Sequence, residues 1–190
     1  IIVIEIEATM DFDGFSGLAD QTPVIVLNKK YTPERKRFTA LHELGHLVMN
    51  IDPSVSDKDA EKFCHLFAGE MLISAEQMKQ RLGDINHRKF SLQELAELQR
   101  IYGISIDALM HKAKDFEMIG EPKYRNYNIL KNTKPAFKEF AEKPRYMDEH
   151  TDKFDRLVYR AYADELISGS KASSLLGIPL TEMMEKALFV

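Results

Sequence analysis

The residues of this chain best suited to chemistry are His42-Glu43-Leu44-Gly45-His46. Four residues make about one helical turn, so both imidazoles leave one face, and their nitrogens can reach a single Zn²⁺ at about 2.0–2.1 Å. Glu43, next to the first histidine, would lie beside the metal without ligating it, where it can take a proton from an acidified water. With 6 His and 17 Glu among 190 residues, roughly 0.02 occurrences of His-Glu-x-x-His are expected by chance. The plain alternative, two solvated histidines on a surface helix, fits less well with a capped, amphipathic helix that directly follows a strand.

Two histidines do not hold a catalytic zinc, which takes a third protein ligand and keeps a fourth position open for water. Glu61 follows His46 by 15 residues, room for a turn and an antiparallel return. His65 lies on almost the same helical face as Glu61, and Glu70 points nearly opposite. Spacing favours Glu61 or His65 and does not choose between them.

The elements that must carry these groups are legible as patterns. Residues 2–7 alternate apolar and acidic side chains from Ile4, as a half-buried strand does. Residues 15–27 read as a hairpin that turns at Asp20-Gln21-Thr22-Pro23 and ends in the β-branched run Val24–Leu27. Both faces of that run are apolar, so it suits equally an edge strand that pairs an extended substrate and an interior strand. Thr32-Pro33-Glu34 starts a helix of about 18 residues, with Phe38, Leu41, Gly45, Val48 and Met49 on its inner face. A second helix is expected over 57–71, a third from Ser74 to Gly83, and a fourth over 92–102 behind the capping box Ser91-x-x-Glu94. Gly103 breaks that helix before Ser105 starts the next. In 131–153, 11 of 23 residues are charged and Pro135 and Pro144 interrupt, which reads as a solvated connector. Helices over 154–167, 171–176 and 181–188 follow.

Around the histidines, Arg37-Phe38-Thr39-Ala40-Leu41-His42-Glu43-Leu44-Gly45-His46-Leu47 is preceded by Val24-Ile-Val-Leu-Asn28. It is followed by Glu61-x-x-Cys64-x-x-Phe67-Ala68-Gly69-Glu70-Met71-Leu72-Ile73. These blocks resemble the ImmA/IrrE family of zinc metallopeptidases, strongly over residues 11–75 and weakly beyond 118. The resemblance implies that Glu61 is the third ligand with His42 and His46, that Glu43 is the catalytic base, and that the metal is Zn²⁺, with Mn²⁺ as the alternative. It also implies a protein substrate, a helix-turn-helix repressor or an antitoxin, in a stress response, mobile element or toxin–antitoxin setting. Many relatives carry a DNA-binding domain before the peptidase part. This chain opens inside a strand without Met, so we expect a fragment whose contact with DNA would run through an upstream domain. Two departures stand out: Cys64 replaces the usual Ala, a thiol one turn from Glu61, and Ile73-Ser74 replaces Met-Pro. Cys64 is expected to be a buried structural thiol rather than a ligand.

Composition sets the limits. A net charge of −4 and a pI of about 5.9 give no overall basic field for nucleic acid. One Cys forms no intrachain disulfide, so the expected compartment is the reducing cytoplasm. The run Ile1–Ile6 is too short and too acidic for a signal peptide or membrane span. Ser91–Lys114 has helix-turn-helix spacing with His111, Lys112 and Lys114 on its second helix, but Asp107 and Asp115 share that helix, and a hairpin packed on the zinc helices is the expectation. A similar pair at 168–188 has only Lys171 and Lys186 as bases and is expected to form a docking or dimerisation surface, to which Met183 and Met184 could contribute. For the oxyanion, Tyr31, Arg37, Tyr102 and His150 are candidate donors without a choice among them.

The resulting expectation is an α+β fold: a small antiparallel N-terminal sheet on a helical, zincin-like body, with a metallopeptidase-like core over 1–118 and a charged connector and helical extension over 119–190. The rival reading is a non-proteolytic zinc module, such as a sensor domain or toxin–antitoxin component.

Overall fold

The computed structural model describes residues 1–83, 91–150 and 152–187; the last residue of the expected helix over 181–188 falls outside this range. Three strands, β1 (Ile2–Ile6), β2 (Gly14–Ala19) and β3 (Thr22–Asn28), form one sheet in the order β1-β3-β2. The helices among the described residues are α1 (Pro33–Val48), α2 (Asp57–Leu72), α3 (Ala75–Leu82), α4 (Leu92–Tyr102), α5 (Ile106–Asp115), α6 (Glu121–Thr133), α7 (Pro135–Glu142), α8 (Lys153–Ala163), α9 (Gly169–Leu176) and α10 (Leu180–Ala187). This is the expected α+β class, a small sheet on a helical body.

The sheet departs from the expectation in one respect: it is mixed. β2 and β3 form the antiparallel hairpin, turning at Asp20 in the left-handed region (φ 53°), but β1 pairs parallel to β3, Ile2 opposite Val24 and Ile6 opposite Asn28. The cause is the path of residues 7–13, which cross the end of β3 and let it insert between the two earlier strands. Asn28, fully buried, organises that crossing. Its Nδ2 donates to the carbonyls of Thr9 (2.8 Å) and Phe12 (2.9 Å), and its Oδ1 accepts from the amides of Lys30 (3.2 Å) and Ala8 (3.4 Å). β3 is therefore interior, with Ile25 and Leu27 buried. β1 and β2 are the two edges of the sheet.

Helix starts follow their caps. Thr32, Ser56, Ser74, Ser91, Ser105 and Ser168 each accept from an amide in the first turn, and Ser74 and Ser91 complete capping boxes. α1 lies between β2 and β3 on one side and α2 on the other. Its inner face differs from the expected one at Val48, which is 55% exposed, while Glu34, Lys36, Thr39 and Gly45 are buried. Gly45 lets α1 and α2 approach closely: a Cβ there would stand 3.4 Å from the Cα of Cys64 and 3.3 Å from the ring of Phe67.

The main core joins Leu72, Ile73, Met78, Leu82, Leu95, Leu98, Ile104, Ile106, Leu109 and Met110 from α2 to α5, and Ile119 and Tyr127 extend it to α6. Each fully buried side chain of this size contributes about 2 kcal/mol. α4 and α5 thus pack inward as a hairpin, as expected. Lys112, one of the bases considered for DNA, is buried against Glu70 of α2.

The stretch read as a solvated connector is largely ordered against the body. Its residues 135–142 form α7, and residues 143–150 run across α1. Glu34 Oε1 accepts from the amides of Arg145 (2.8 Å) and Tyr146 (3.1 Å) and from Gln99 Nε2 (2.6 Å). Lys36 pairs with Asp148 (2.9 Å) and Glu5 (3.3 Å), and Arg37 with Glu149 (2.5 Å). Charge density suggested solvent because the residues of α1 that this stretch pairs with, Glu34, Lys36 and Arg37, lie more than a hundred residues before it.

α8, α9 and α10 close around a separate small core of Val158, Ala172 and Met183. Met183 is fully buried and Met184 is 48% exposed, so core packing claims the first of the two methionines considered for a surface.

Candidate metal centre

α1 presents His42 and His46 one turn apart on its α2 side, and α2, returning antiparallel after the turn at 49–56, presents Glu61. The three donors converge. His42 Nε2 and His46 Nε2 are 3.1 Å apart, and Glu61 Oε2 and Oε1 lie 3.1 and 3.3 Å from them, respectively. Ligands at about 2.05 Å in a tetrahedral site are about 3.3 Å from one another; the two imidazole nitrogens have about that spacing, and the Glu61 carboxylate offers each of them one oxygen at a similar distance. Among the described residues these three form the group of His, Cys, Asp and Glu donors with ligand spacing, all within 4.8 Å of one another. A divalent metal fits them.

The surroundings favour the ligand form of His42. Burial, then the neighbouring His65 and His46, push its pKa down against the pull of Glu61 and Glu43, which holds the imidazole neutral. Its Nδ1 is buried with no hydrogen-bond partner among the described residues.

The two residues left beside Glu61 as alternative ligands are not among the three converging donors. The His65 ring stacks on Phe38, with centroids 5.7 Å apart, and leans on the ring of His42 at 4.4 Å. Cys64 is fully buried against α1 at Gly45. Burial, reinforced by the Glu61 and Glu43 carboxylates, pushes its thiol pKa up, away from the thiolate a metal would take. Glu70, opposite as spacing indicated, accepts from Lys112 and from the Ala75 amide (3.2 Å).

Glu43 lies on the β2 side of α1. Its Oε2 accepts from the hydroxyl of Ser16 at 2.7 Å, and Oε1 has no hydrogen-bond partner among the described residues. Sequence reasoning missed Ser16. No motif contains it, and only the strand period, which puts Ser16 on the same face as Gly14, hints that it faces the helix.

Of the four oxyanion candidates, none contacts the three donors. Tyr31 donates to the Met10 carbonyl under Arg35, and Arg37 pairs with Glu149 over the ring of Tyr146. Tyr102 accepts from Arg81, and His150 pairs with Glu5 and Asp148. Tyr31 does line a cleft of about 1360 Å³ that also takes in Phe38, Glu61, His65, Leu66 and Tyr127 and so opens beside the three donors.

Among the described residues no helix is long and apolar enough to cross a membrane. No curated protein matches the sequence. A family model described as the IrrE N-terminal-like domain, a peptidase family, matches residues 2–114. That span covers the sheet, α1, α2 and the helical hairpin of α4 and α5, and it contains both strands of evidence from the sequence: the His42–His46 block and the Glu61 block meet at one cluster of donors. By that match over more than half its length, the chain belongs to the IrrE N-terminal-like domain family of peptidases.

Proposed function

We propose that the protein is a zinc-dependent peptidase in which His42, His46 and Glu61 hold the metal and Glu43 is the catalytic base. The observation that carries this reading is the convergence of the three donors within 4.8 Å, with a carboxylate outside the group on the residue adjoining His42. When bound, Zn²⁺ supplies a Lewis acid that acidifies water and polarises a carbonyl; Mn²⁺ is the alternative metal. Glu43 takes the proton of the attacking water at Oε1, its oxygen without a protein donor, and passes it to the leaving amine. Of the two edge strands, β2 is the one that touches Glu43 through Ser16, and its outer edge aligns an extended substrate by backbone pairing, the role that interior β3 is not placed to fill.

The substrate in this reading is a protein, a helix-turn-helix repressor or an antitoxin, and the setting is cytoplasmic. Family membership supports a peptidase, and the repressor rests on the resemblance of the sequence blocks. The test is to incubate zinc-loaded wild type and Glu43→Gln with the repressor or antitoxin encoded beside the gene. Wild type is expected to cleave it and Glu43→Gln to leave it intact while binding zinc equally. If wild type holds zinc and cleaves nothing, the peptidase reading fails and the non-proteolytic zinc module stands.

A further inference from the structure

β2 and α1 meet in two matched rungs. Gly14 packs on Thr39 so closely that a Cβ would lie 2.8 Å from Thr39 Cγ2 and 2.7 Å from the Val26 carbonyl oxygen. Two residues on, Ser16 hydrogen-bonds Glu43, four residues beyond Thr39. Two strand residues span about 6.8 Å and four helical residues about 6.0 Å, so one strand face and one helix face run side by side with nearly equal pitch. Tight contact at the first rung holds the height and direction of the second.

From this we propose that Ser16 is a positioning residue for Glu43, an inference that rests on the peptidase reading above. Its hydroxyl donates to Oε2 and thereby reserves Oε1 for the travelling proton. The water O–H bond breaks as Oε1–H forms, then Oε1–H breaks as the amine N–H forms, and Ser16 keeps its own proton throughout. Ser16 also sits on the edge strand offered to the substrate, so the strand that would align the peptide and the contact that orients the base are one element.

The test uses zinc-loaded wild type, Ser16→Ala, Ser16→Thr and Glu43→Gln. Losing a hydrogen bond to a charged group should lower kcat on the co-encoded repressor about tenfold with KM unchanged, and Ser16→Thr should restore it. A second measurement needs no turnover. Acetohydroxamate takes a metal through its two oxygens and offers a proton to a neighbouring carboxylate, whereas imidazole touches the metal alone. Ser16→Ala is expected to weaken acetohydroxamate about threefold to tenfold and leave imidazole and zinc affinity unchanged. Equal weakening of both probes, or failure of Ser16→Thr to rescue, would reduce Ser16 to a structural residue and overturn the proposal, as would no change in either probe. A wild type that neither cleaves the repressor nor distinguishes itself from Glu43→Gln in hydroxamate binding overturns the peptidase reading instead.

Discussion

Glu34 is a carboxylate with 2% exposure and no ion pair among the described residues, and its replacement by Ala should be costly in a specific way. All three of its outside donors converge on Oε1: the amides of Arg145 and Tyr146 and the side chain of Gln99. Gln99 Nε2 would keep the Lys143 carbonyl at 3.0 Å, so two backbone amides lose their acceptor. Each unmet buried donor costs about 1–3 kcal/mol, and lifting residues 143–150 towards water recovers part, leaving about 3 kcal/mol. For a chain of this size that corresponds to a fall in Tm of about 6–12 °C. Glu34→Gln preserves an acceptor and should cost about 1 kcal/mol. The pH dependence has a definite sign. Burial alone would raise the Glu34 pKa, but the amides of Arg145, Glu34 itself and Tyr146, with Gln99, hold it below the ordinary 4.5. A carboxyl depressed on folding contributes its full stabilisation above the unfolded value and loses it as pH falls through the folded one. The wild-type advantage over Glu34→Gln should therefore be flat above about pH 5 and shrink below it. Denaturant titration from pH 3 to 7 with hydrogen exchange at Arg145 and Tyr146 measures both effects. A loss under about 0.5 kcal/mol for Glu34→Ala, with unchanged protection at those two amides, would refute this account of how the 143–150 segment is held.

Three further outcomes are expected. Glu61→Ala should weaken zinc binding at least about 100-fold by competition with a chromogenic chelator, and an unchanged affinity would move the third ligand to His65 or Cys64. Gly14→Ala forces a Cβ within 2.8 Å of Thr39 and should destabilise by about 1–3 kcal/mol in chemical unfolding; a neutral result would mean that β2 sits further from α1 than described. Met183→Ala empties the centre of the small α8–α10 core and should cost about 2–5 kcal/mol, seen as lost amide protection in 153–187; retained protection would contradict its burial.

Helix α1 was the most legible part of the sequence, since its cap at Thr32, its histidine pair and its run of helix formers are all local. The second block at Glu61 needed the family resemblance, because helical periodicity places Glu61 and His65 on one face and the choice depends on how α2 rolls against Gly45. Periodicity marked β1 as a strand but carries no information about the direction of its partner, so parallel pairing with β3 was not visible. The charges of the 131–153 stretch looked solvated for a similar reason: side chains with distant partners have no local signature, and only folding brings Asp148 and Glu149 to Lys36 and Arg37.

The matched rungs of β2 and α1 also act as a check on register. A slip of β2 by one residue would turn Ser16 to the opposite face and drive Phe15 into the space that only Gly14 fits. On the peptidase reading proposed above, His42, His46 and Glu61, which sit on two helices, would still take up metal in such a molecule. Metal content would then count molecules with a correct α1–α2 pair, whereas hydrolysis would count only those whose hairpin had also found its place. A preparation could thus be fully loaded with metal and fractionally active, with the shortfall reporting the hairpin alone.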